Sequence, residues 1–280
     1  MPLMTRQKLN ARPFLKWAGG KRQLLEHIRP LIPASYDRLI EPFMGGAAVF
    51  FDQQPDSGWL NDINAELVNC YQIVRDDVEA LIEDLARHRY ERSYFEEIRA
   101  LDRQPGGLSA LSALTRASRF IYLNKTSFNG LYRVNSKGFY NVPFGRFKNP
   151  SIVNGGGLRA CSELLQGCQI SNQDWQAVLQ DAVPGDFVYL DPPYLPLSET
   201  SNFTQYADNG FGFADQQALA RAAADLARRG IGFVASNSWH PDILHLYQDF
   251  TIKQVAASRA INARASGRKP IAEALITNLA

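Results

Sequence analysis

The chain has 280 residues, 45% hydrophobic and 21% charged, with a formal net charge of +2. That length holds one large catalytic domain with a substantial insertion, or two modest domains, and the composition suits a globular chain that buries a core. No apolar run approaches bilayer-spanning length, Met1 to Arg12 is polar and basic rather than signal-like, and Cys70, Cys161 and Cys168 are too few and too irregularly spaced for a disulfide framework or a zinc site.

Taken from the N-terminus, the first punctuated segment is Gly19-Gly20-Lys21-Arg22. It offers the Gly-Lys pair of a P-loop, but Arg22 stands where a Mg²⁺-binding hydroxyl is required and Trp17 where the first glycines belong. A strand is expected at Leu39-Ile40, followed by Glu41-Pro42-Phe43-Met44-Gly45-Gly46-Ala47-Ala48. Glycines at such a strand-to-helix turn let the backbone approach a ligand closely, yet the G-x-G-x-x-G spacing of a nicotinamide dehydrogenase is absent. The next strand, Gly58 to Leu60, ends in Asn61-Asp62. Asp62 is placed either to bind ribose hydroxyls or to cap a helix starting near Ala65.

From Ala65 to about Asn124 the apolar period is helical: Leu67, Tyr71 and Val74, then Leu81, Ile82 and Leu85, then Leu111, Leu114, Phe120 and Ile121. Thr126 to Pro150 is polar, aromatic and without that period. Residues 65–154 therefore read as an inserted, mostly helical domain ending in an irregular loop, with 1–64 and 155–280 forming the catalytic domain. Lys125, Arg133, Lys137, Arg146 and Lys148 occupy a stretch with no acid, and so do Lys253, Arg259, Arg264, Arg268 and Lys269. Two all-basic stretches in a near-neutral chain suit a phosphate-binding face, or two solvated loops.

Strands follow near Gln169-Ile170, at Phe187 to Leu190, Ile231 to Val234, Phe250 to Ile252 and Ala274 to Ile276. Asp174-Trp175, after the first of these, reads as a helix cap followed by a core tryptophan. The clearest helix runs from Asp215 to Arg229, with Leu219, Ala222, Ala223 and Leu226 on one face and Gly230 placed to end it. Alternating strands and helices predict an α/β fold built on a mostly parallel, doubly wound sheet.

Asp191-Pro192-Pro193-Tyr194 directly follows the strand ending at Leu190. It places a carboxylate, a rigid turn and an aromatic ring at the C-terminal end of a parallel strand, where open α/β sheets bind ligands. A site that must hold an amino group wants those parts; a strand-ending turn with a capping aspartate is the plainer alternative.

Together these motifs resemble the Dam family of DNA adenine-N6 methyltransferases, over nearly the whole chain. The resemblance runs from Pro13-Phe14-Leu15-Lys16-Trp17-Ala18-Gly19-Gly20-Lys21 through Glu41 to Gly46 and Asn61-Asp62-Ile63-Asn64. It continues in Phe128-Asn129-Gly130-Leu131-Tyr132-Arg133, in Asn141 to Phe147 and in Asp191 to Tyr194. Their order is similar to that of the α group of amino-methyltransferases, and Leu197-Ser198-Glu199-Thr200 resembles the branch found in GATC-specific restriction–modification systems. The implied fold is a Rossmann-like S-adenosylmethionine-dependent methyltransferase sheet with an inserted target-recognition domain. The implied cofactor is S-adenosylmethionine, with no metal. Trp17, Lys21, Pro42, Phe43, Gly45, Asp62, Asp174, Trp175 and Asp191 match positions around that cofactor.

By the same resemblance, Asp191, Pro192 and Tyr194 are the catalytic set acting on a flipped-out adenine. Lys16, Phe128, Asn129, Leu131, Arg133, Asn135, Pro143, Arg146, Arg268 and Lys269 would contact DNA. Arg133 would read a guanine edge, Leu131 and Pro143 would touch neighbouring bases, and Phe128 would wedge into the vacated stack. Double-stranded DNA is the implied partner, with a cognate restriction endonuclease acting alongside without stable binding; a cytoplasmic monomer is expected. The alternatives are an N4-cytosine methyltransferase of the same fold and an inactive DNA-binding relative.

Overall fold

The computed structural model describes residues 8–195, 211–257 and 271–279. Its strands are β1 (Arg38–Glu41), β2 (Gly58–Asn61), β3 (Cys168–Ser171), β4 (Asp186–Leu190), β5 (Gly232–Ser238), β6 (Thr251–Ala257) and β7 (Ile271–Thr277), in one sheet of order β3-β2-β1-β4-β5-β7-β6. β1 runs parallel to both β2 and β4, and β4 parallel to β5, whereas β7 is antiparallel to β5 and β6. The winding reverses between β1 and β4, so the C-terminal ends of these strands flank the switch point at which such sheets bind ligands. Both main motifs of the sequence leave from there.

The helices are α1 (Leu25–Ile28), α2 (Ala48–Gln53), α3 (Ala65–Asp76), α4 (Val78–Leu85), α5 (Arg92–Ala100), α6 (Ala113–Thr126), α7 (Gly155–Leu165), α8 (Trp175–Gln180), α9 (Phe213–Arg228) and α10 (Pro241–Leu246). Among the described residues none is long and apolar enough to cross a membrane. The chain divides into two compact units.

One unit comprises Lys21–Met44, Ser57–Ile63 and the chain from Ser171 onward. β4 is buried along its whole length, as a central parallel strand covered on both faces must be. Ile40, Val188, Leu190, Phe233, Ala235 and Ile276 form its core with Leu219, Ala220, Ala223 and Leu226 of α9. Each buried leucine contributes about 2 kcal/mol by leaving water. α9 ends as expected: Gly230 adopts φ 74°, and the Ile231 amide closes the helix onto the Leu226 carbonyl. At the N-terminal edge of the sheet, Arg38 donates to both carboxylate oxygens of Asp186 at 3.0 and 2.8 Å, fixing the β1–β4 register.

The other unit comprises Gly45–Asp56, Asn64–Ile170 and the segment ending at Gly20. It is largely helical, with α6 packed against α3, α4 and α5. Asn64, not Asp62, caps α3, its side chain accepting from the Glu66 and Leu67 amides. All three cysteines are buried free thiols; burial pushes the Cys161 thiol up to about 11.

Candidate active site

Asp191 leaves the end of β4 beside Ser236, because Leu190 pairs with Ala235 in the neighbouring strand. The Ser236 hydroxyl donates to Asp191 Oδ1 at 2.9 Å, and Lys21 Nζ lies 2.8 Å from the same oxygen. The Lys21 ammonium also stands 4.7 Å above the Tyr194 ring. Tyr194 donates its hydroxyl to Glu273 Oε2 at 2.7 Å, reaching a residue of β7. Between the two, Gln216 Nε2 of α9 donates to the Pro193 carbonyl at 2.8 Å, and Asn237 Nδ2 donates to Gln216 Oε1 at 2.9 Å. The turn is thus held from β5, β7 and α9, while the two prolines remove local donors and backbone freedom.

Burial raises the Asp191 carboxyl above the usual carboxylate range, opposed first by the Lys21 charge and then by the Lys21 and Ser236 hydrogen bonds. Burial likewise raises the Tyr194 phenol, and the charges of Asp191 and Glu273 push it further up, so it stays protonated. Glu273 is raised by burial against the opposing charge of Lys21. The result is a small, partly desolvated cluster with one cation, two carboxyls and a ring.

The loops after β1, β2 and β3 are tied together by Asn61. Its Nδ2 donates to the Pro42 and Gln173 carbonyls, both at 3.0 Å, and its Oδ1 accepts from Ser171 Oγ and the Gln173 amide at 2.7 and 2.9 Å. Around that hub Phe43 packs on Trp175 with ring centroids 5.9 Å apart and edge-on to Phe211 at 5.8 Å. Asp62 follows at the end of β2, and Ile63 beside it is 72% exposed. An aromatic wall, a strand-end carboxylate and an exposed aliphatic side chain make a set that fits a nucleoside. Asp174 caps α8, accepting from the Gln176 amide at 2.8 Å, and Trp175 is buried in the core; both plainer sequence readings hold at these positions.

Trp17 and Gly45 lie together in the other unit. Trp17 stacks on Phe120 and Tyr132 at 6.3 and 5.9 Å. Gly45 adopts φ 45°, and a Cβ there would come within 2.6 Å of the indole, so only glycine fits.

The same unit carries the expected DNA-contacting residues. Lys16, Phe128, Asn129, Asn135, Pro143 and Arg146 are exposed, and Leu131 and Arg133 half-buried. Arg92, Phe128, Asn129, Pro143, Phe144, Arg146 and Phe147 line one groove. Asn129 (φ 57°) and Gly130 (φ 66°) make a tight left-handed turn. Asn124 locks it: its Oδ1 accepts from the Lys16 amide, and its Nδ2 donates to the Lys16 and Gly130 carbonyls at 2.8 Å. Arg133 Nε donates to Asn141 Oδ1 at 2.6 Å. Beneath the loop, buried Asp102 accepts from Arg119, Arg103 and the Tyr140 amide. Phe144, whose ring packs among Tyr90 and Phe95, anchors the loop. Arg268, Lys269 and the Leu197 to Thr200 stretch lie outside the described residues.

Sequence reasoning missed Ser236, Glu273, Gln216 and Asp102, and quoted Asn61 without a role. Two carried a signal: Ser236-Asn237-Ser238 is a polar end on an apolar strand, and Glu273 is a lone acid within Ile271–Thr277. Among the described residues no cluster of His, Cys, Asp or Glu is arranged to hold a metal.

Residues 17–261 match the family described as D12 class N6 adenine-specific DNA methyltransferase. The chain is 45% identical over 282 residues to a Type II methyltransferase, M1.LlaDCHI, of Lactococcus lactis subsp. cremoris, covering 99% of each. It is 39% identical to the Type II methyltransferase M.MjaIII of Methanocaldococcus jannaschii, covering 96% of this chain and 100% of that one. A DNA adenine methylase of Vibrio cholerae is 36% identical, with 94% and 95% covered. The cluster at the end of β4 and these likenesses agree: the chain belongs to the D12 class of N6 adenine-specific DNA methyltransferases.

Proposed function

We propose that this enzyme transfers the methyl group of S-adenosylmethionine to N6 of an adenine flipped out of duplex DNA, within GATC. The bound cofactor would supply an electrophilic methyl group on a sulfonium. Phe43, Trp175, Asp62, Asp174 and Pro42 are proposed to hold it, with Ile63 adding an apolar contact. Trp17, Lys21 and Gly45 join that set on the family resemblance. GATC rests on resemblance too, as does a cognate endonuclease acting separately. A monomer is proposed as the working unit.

An adenine N6 is a poor nucleophile because its lone pair is delocalised into the ring. Hydrogen bonds from the amino group to the Asp191 carboxylate and the Pro192 carbonyl draw the nitrogen toward tetrahedral geometry and aim the localised pair. Positioning and preorganised acceptors carry the rate. Tyr194, its ring pinned through Glu273, stacks on the extruded base and returns part of the unstacking cost of about a few kcal/mol. One observation carries this reading: a carboxylate, a diproline turn and an anchored tyrosine ring share one cluster at the sheet's switch point.

Specificity is assigned to residues 65–154. Arg133 reads a guanine edge, worth about 1–3 kcal/mol against a wrong base. Leu131, Pro143 and Asn129 touch neighbouring bases, Phe128 fills the gap in the stack, and Lys16, Asn135, Arg146, Arg268 and Lys269 complete the DNA-contacting set. The test is Asp191→Ala with long-read mapping of modified bases in a methylation-free host. The wild type should mark adenine in one short context and the variant none, with cofactor or duplex binding partly surviving. Near-wild-type marking by Asp191→Ala, or marked cytosines, would overturn the assignment.

A further inference from the structure

The two carboxylate oxygens of Asp191 are used differently. Oδ1 takes both the Lys21 ammonium at 2.8 Å and the Ser236 hydroxyl at 2.9 Å, and among the described residues no hydrogen bond ends on Oδ2. The Asp191 side chain nevertheless keeps 22% of its surface exposed, whereas Ser236 is wholly buried. Behind Ser236 stands Tyr189, its hydroxyl 3.1 Å from Ser236 Oγ. A serine hydroxyl has one proton, and an ionised carboxylate can only accept. The Ser236 proton therefore lies on the bond to Asp191, and the phenol of Tyr189 donates to Ser236 Oγ. Burial and the Asp191 charge both keep that phenol protonated. The chain of donors points one way, toward Oδ1.

We propose that Ser236, backed by Tyr189, is a positioning residue for methyl transfer: with Lys21 it commits Oδ1 and leaves Oδ2 to accept the hydrogen bond of the adenine amino group. This rests on the reading of Asp191 as the amine acceptor. The final torsion of an aspartate is broad, so a carboxylate held by one flexible partner can tilt its plane and move the oxygen it presents. Lys21 alone is such a partner, a compact charge on a four-carbon stem with rotatable donors. Ser236 is fixed in β5 opposite Leu275 and cannot follow a rotating carboxylate. It narrows the torsion of the carboxylate plane and keeps Lys21 from bridging both oxygens, where the ammonium would stand in the place of the substrate amine. Lys21 is the charged group that acts on Asp191; the Asp191 charge in turn acts on Tyr189, Tyr194 and Glu273, and Glu41 acts on Tyr189 from β1. Losing the Ser236 hydroxyl takes away one of the contacts that favour the ionised carboxylate.

The experiment compares full-length wild type, Ser236→Ala, Tyr189→Phe and Asp191→Ala under single-turnover conditions across pH. Cofactor affinity is measured by calorimetry, and base extrusion by the fluorescence of 2-aminopurine at the target position. Ser236→Ala should slow transfer about 10- to 100-fold, as expected for misplacement of a reacting group. Tyr189→Phe should slow it less, and in both the acid limb should move to higher pH. Cofactor affinity and the extrusion signal should not change. If Asp191→Ala transfers normally, the acceptor reading itself is lost. If Asp191→Ala is inactive while Ser236→Ala and Tyr189→Phe keep the wild-type rate and acid limb, the reading stands and the positioning role is wrong. Should Ser236→Ala fail to fold, Tyr189→Phe decides: an unmoved acid limb overturns the proposal.

Discussion

Replacing Asp102 by alanine should free the loop around Tyr140 from the helices of its own unit. Asp102 is 7% exposed, and its Oδ2 accepts from Arg119 Nη2 at 2.9 Å and from the Tyr140 amide at 2.7 Å. Its Oδ1 accepts from Arg103 Nη1 at 2.7 Å, and Arg103 Nη2 in turn donates to the Tyr140 carbonyl at 2.7 Å. Both backbone groups of Tyr140 thus depend on one buried carboxylate. Removing one partner of a buried ion pair costs about 3–5 kcal/mol. Arg119 keeps the Ile98 and Arg99 carbonyls at 2.9 and 2.8 Å, which places the loss at the lower end. If that loss is felt as local opening, about 3 kcal/mol corresponds to roughly a hundredfold in the opening equilibrium. Hydrogen exchange of a peptide spanning Tyr140 reads it directly, and a melting curve reports the global share. Exchange at Tyr140 within about threefold of wild type would refute the reasoning, since so small a change is well under 1 kcal/mol.

Two further outcomes are expected. Asn141→Ala removes the oxygen that holds Arg133 Nε at 2.6 Å. Discrimination at one base pair should fall by about 1 kcal/mol with binding to unrelated duplex unchanged, measured with singly substituted duplexes; equal loss on every sequence would make Arg133 a phosphate contact. His88 bonds Tyr94 and Ser118 through its two ring nitrogens and stacks on Tyr122, and burial lowers its pKa below 6.5 against the opposing charge of Asp84. A depressed folded-state pKa means that the stability it contributes is present above pH 6.5 and is lost as pH falls through the folded value. His88→Phe keeps a ring on Tyr122 and should flatten the decline of melting temperature below pH 6.5; an unchanged slope would exclude His88 as its source.

The parts of the fold legible in sequence were those written in period and punctuation. The apolar run at Phe187 to Leu190 and the stripe and Gly230 stop of α9 appear where expected, as do the helical positions from Leu67 to Leu85 and from Leu114 to Ile121, whereas Leu111 falls ahead of α6. The place of the Asp191 to Tyr194 turn was legible because an apolar strand runs directly into two prolines, and it leaves the end of β4. What holds that turn was not, because Ser236, Gln216 and Glu273 lie tens of residues away and reach it only through strand register and the face of α9. β7 lying between β5 and β6 is likewise a matter of order, which local pattern does not encode. Asp62 shows the opposite limit: the cap of α3 went to Asn64, two residues on, since either short polar side chain satisfies a helix start in sequence.

The turn at Asn129 and Gly130 has a consequence for kinetics. With Asn124 bracing both Lys16 and Gly130, Phe128 is held outward, 47% exposed, on the face proposed to meet DNA. On that proposal, a turn already held by side-chain hydrogen bonds needs little conformational search at encounter. Variants on this face should then differ mainly in how long their complexes last, and far less in how quickly they form.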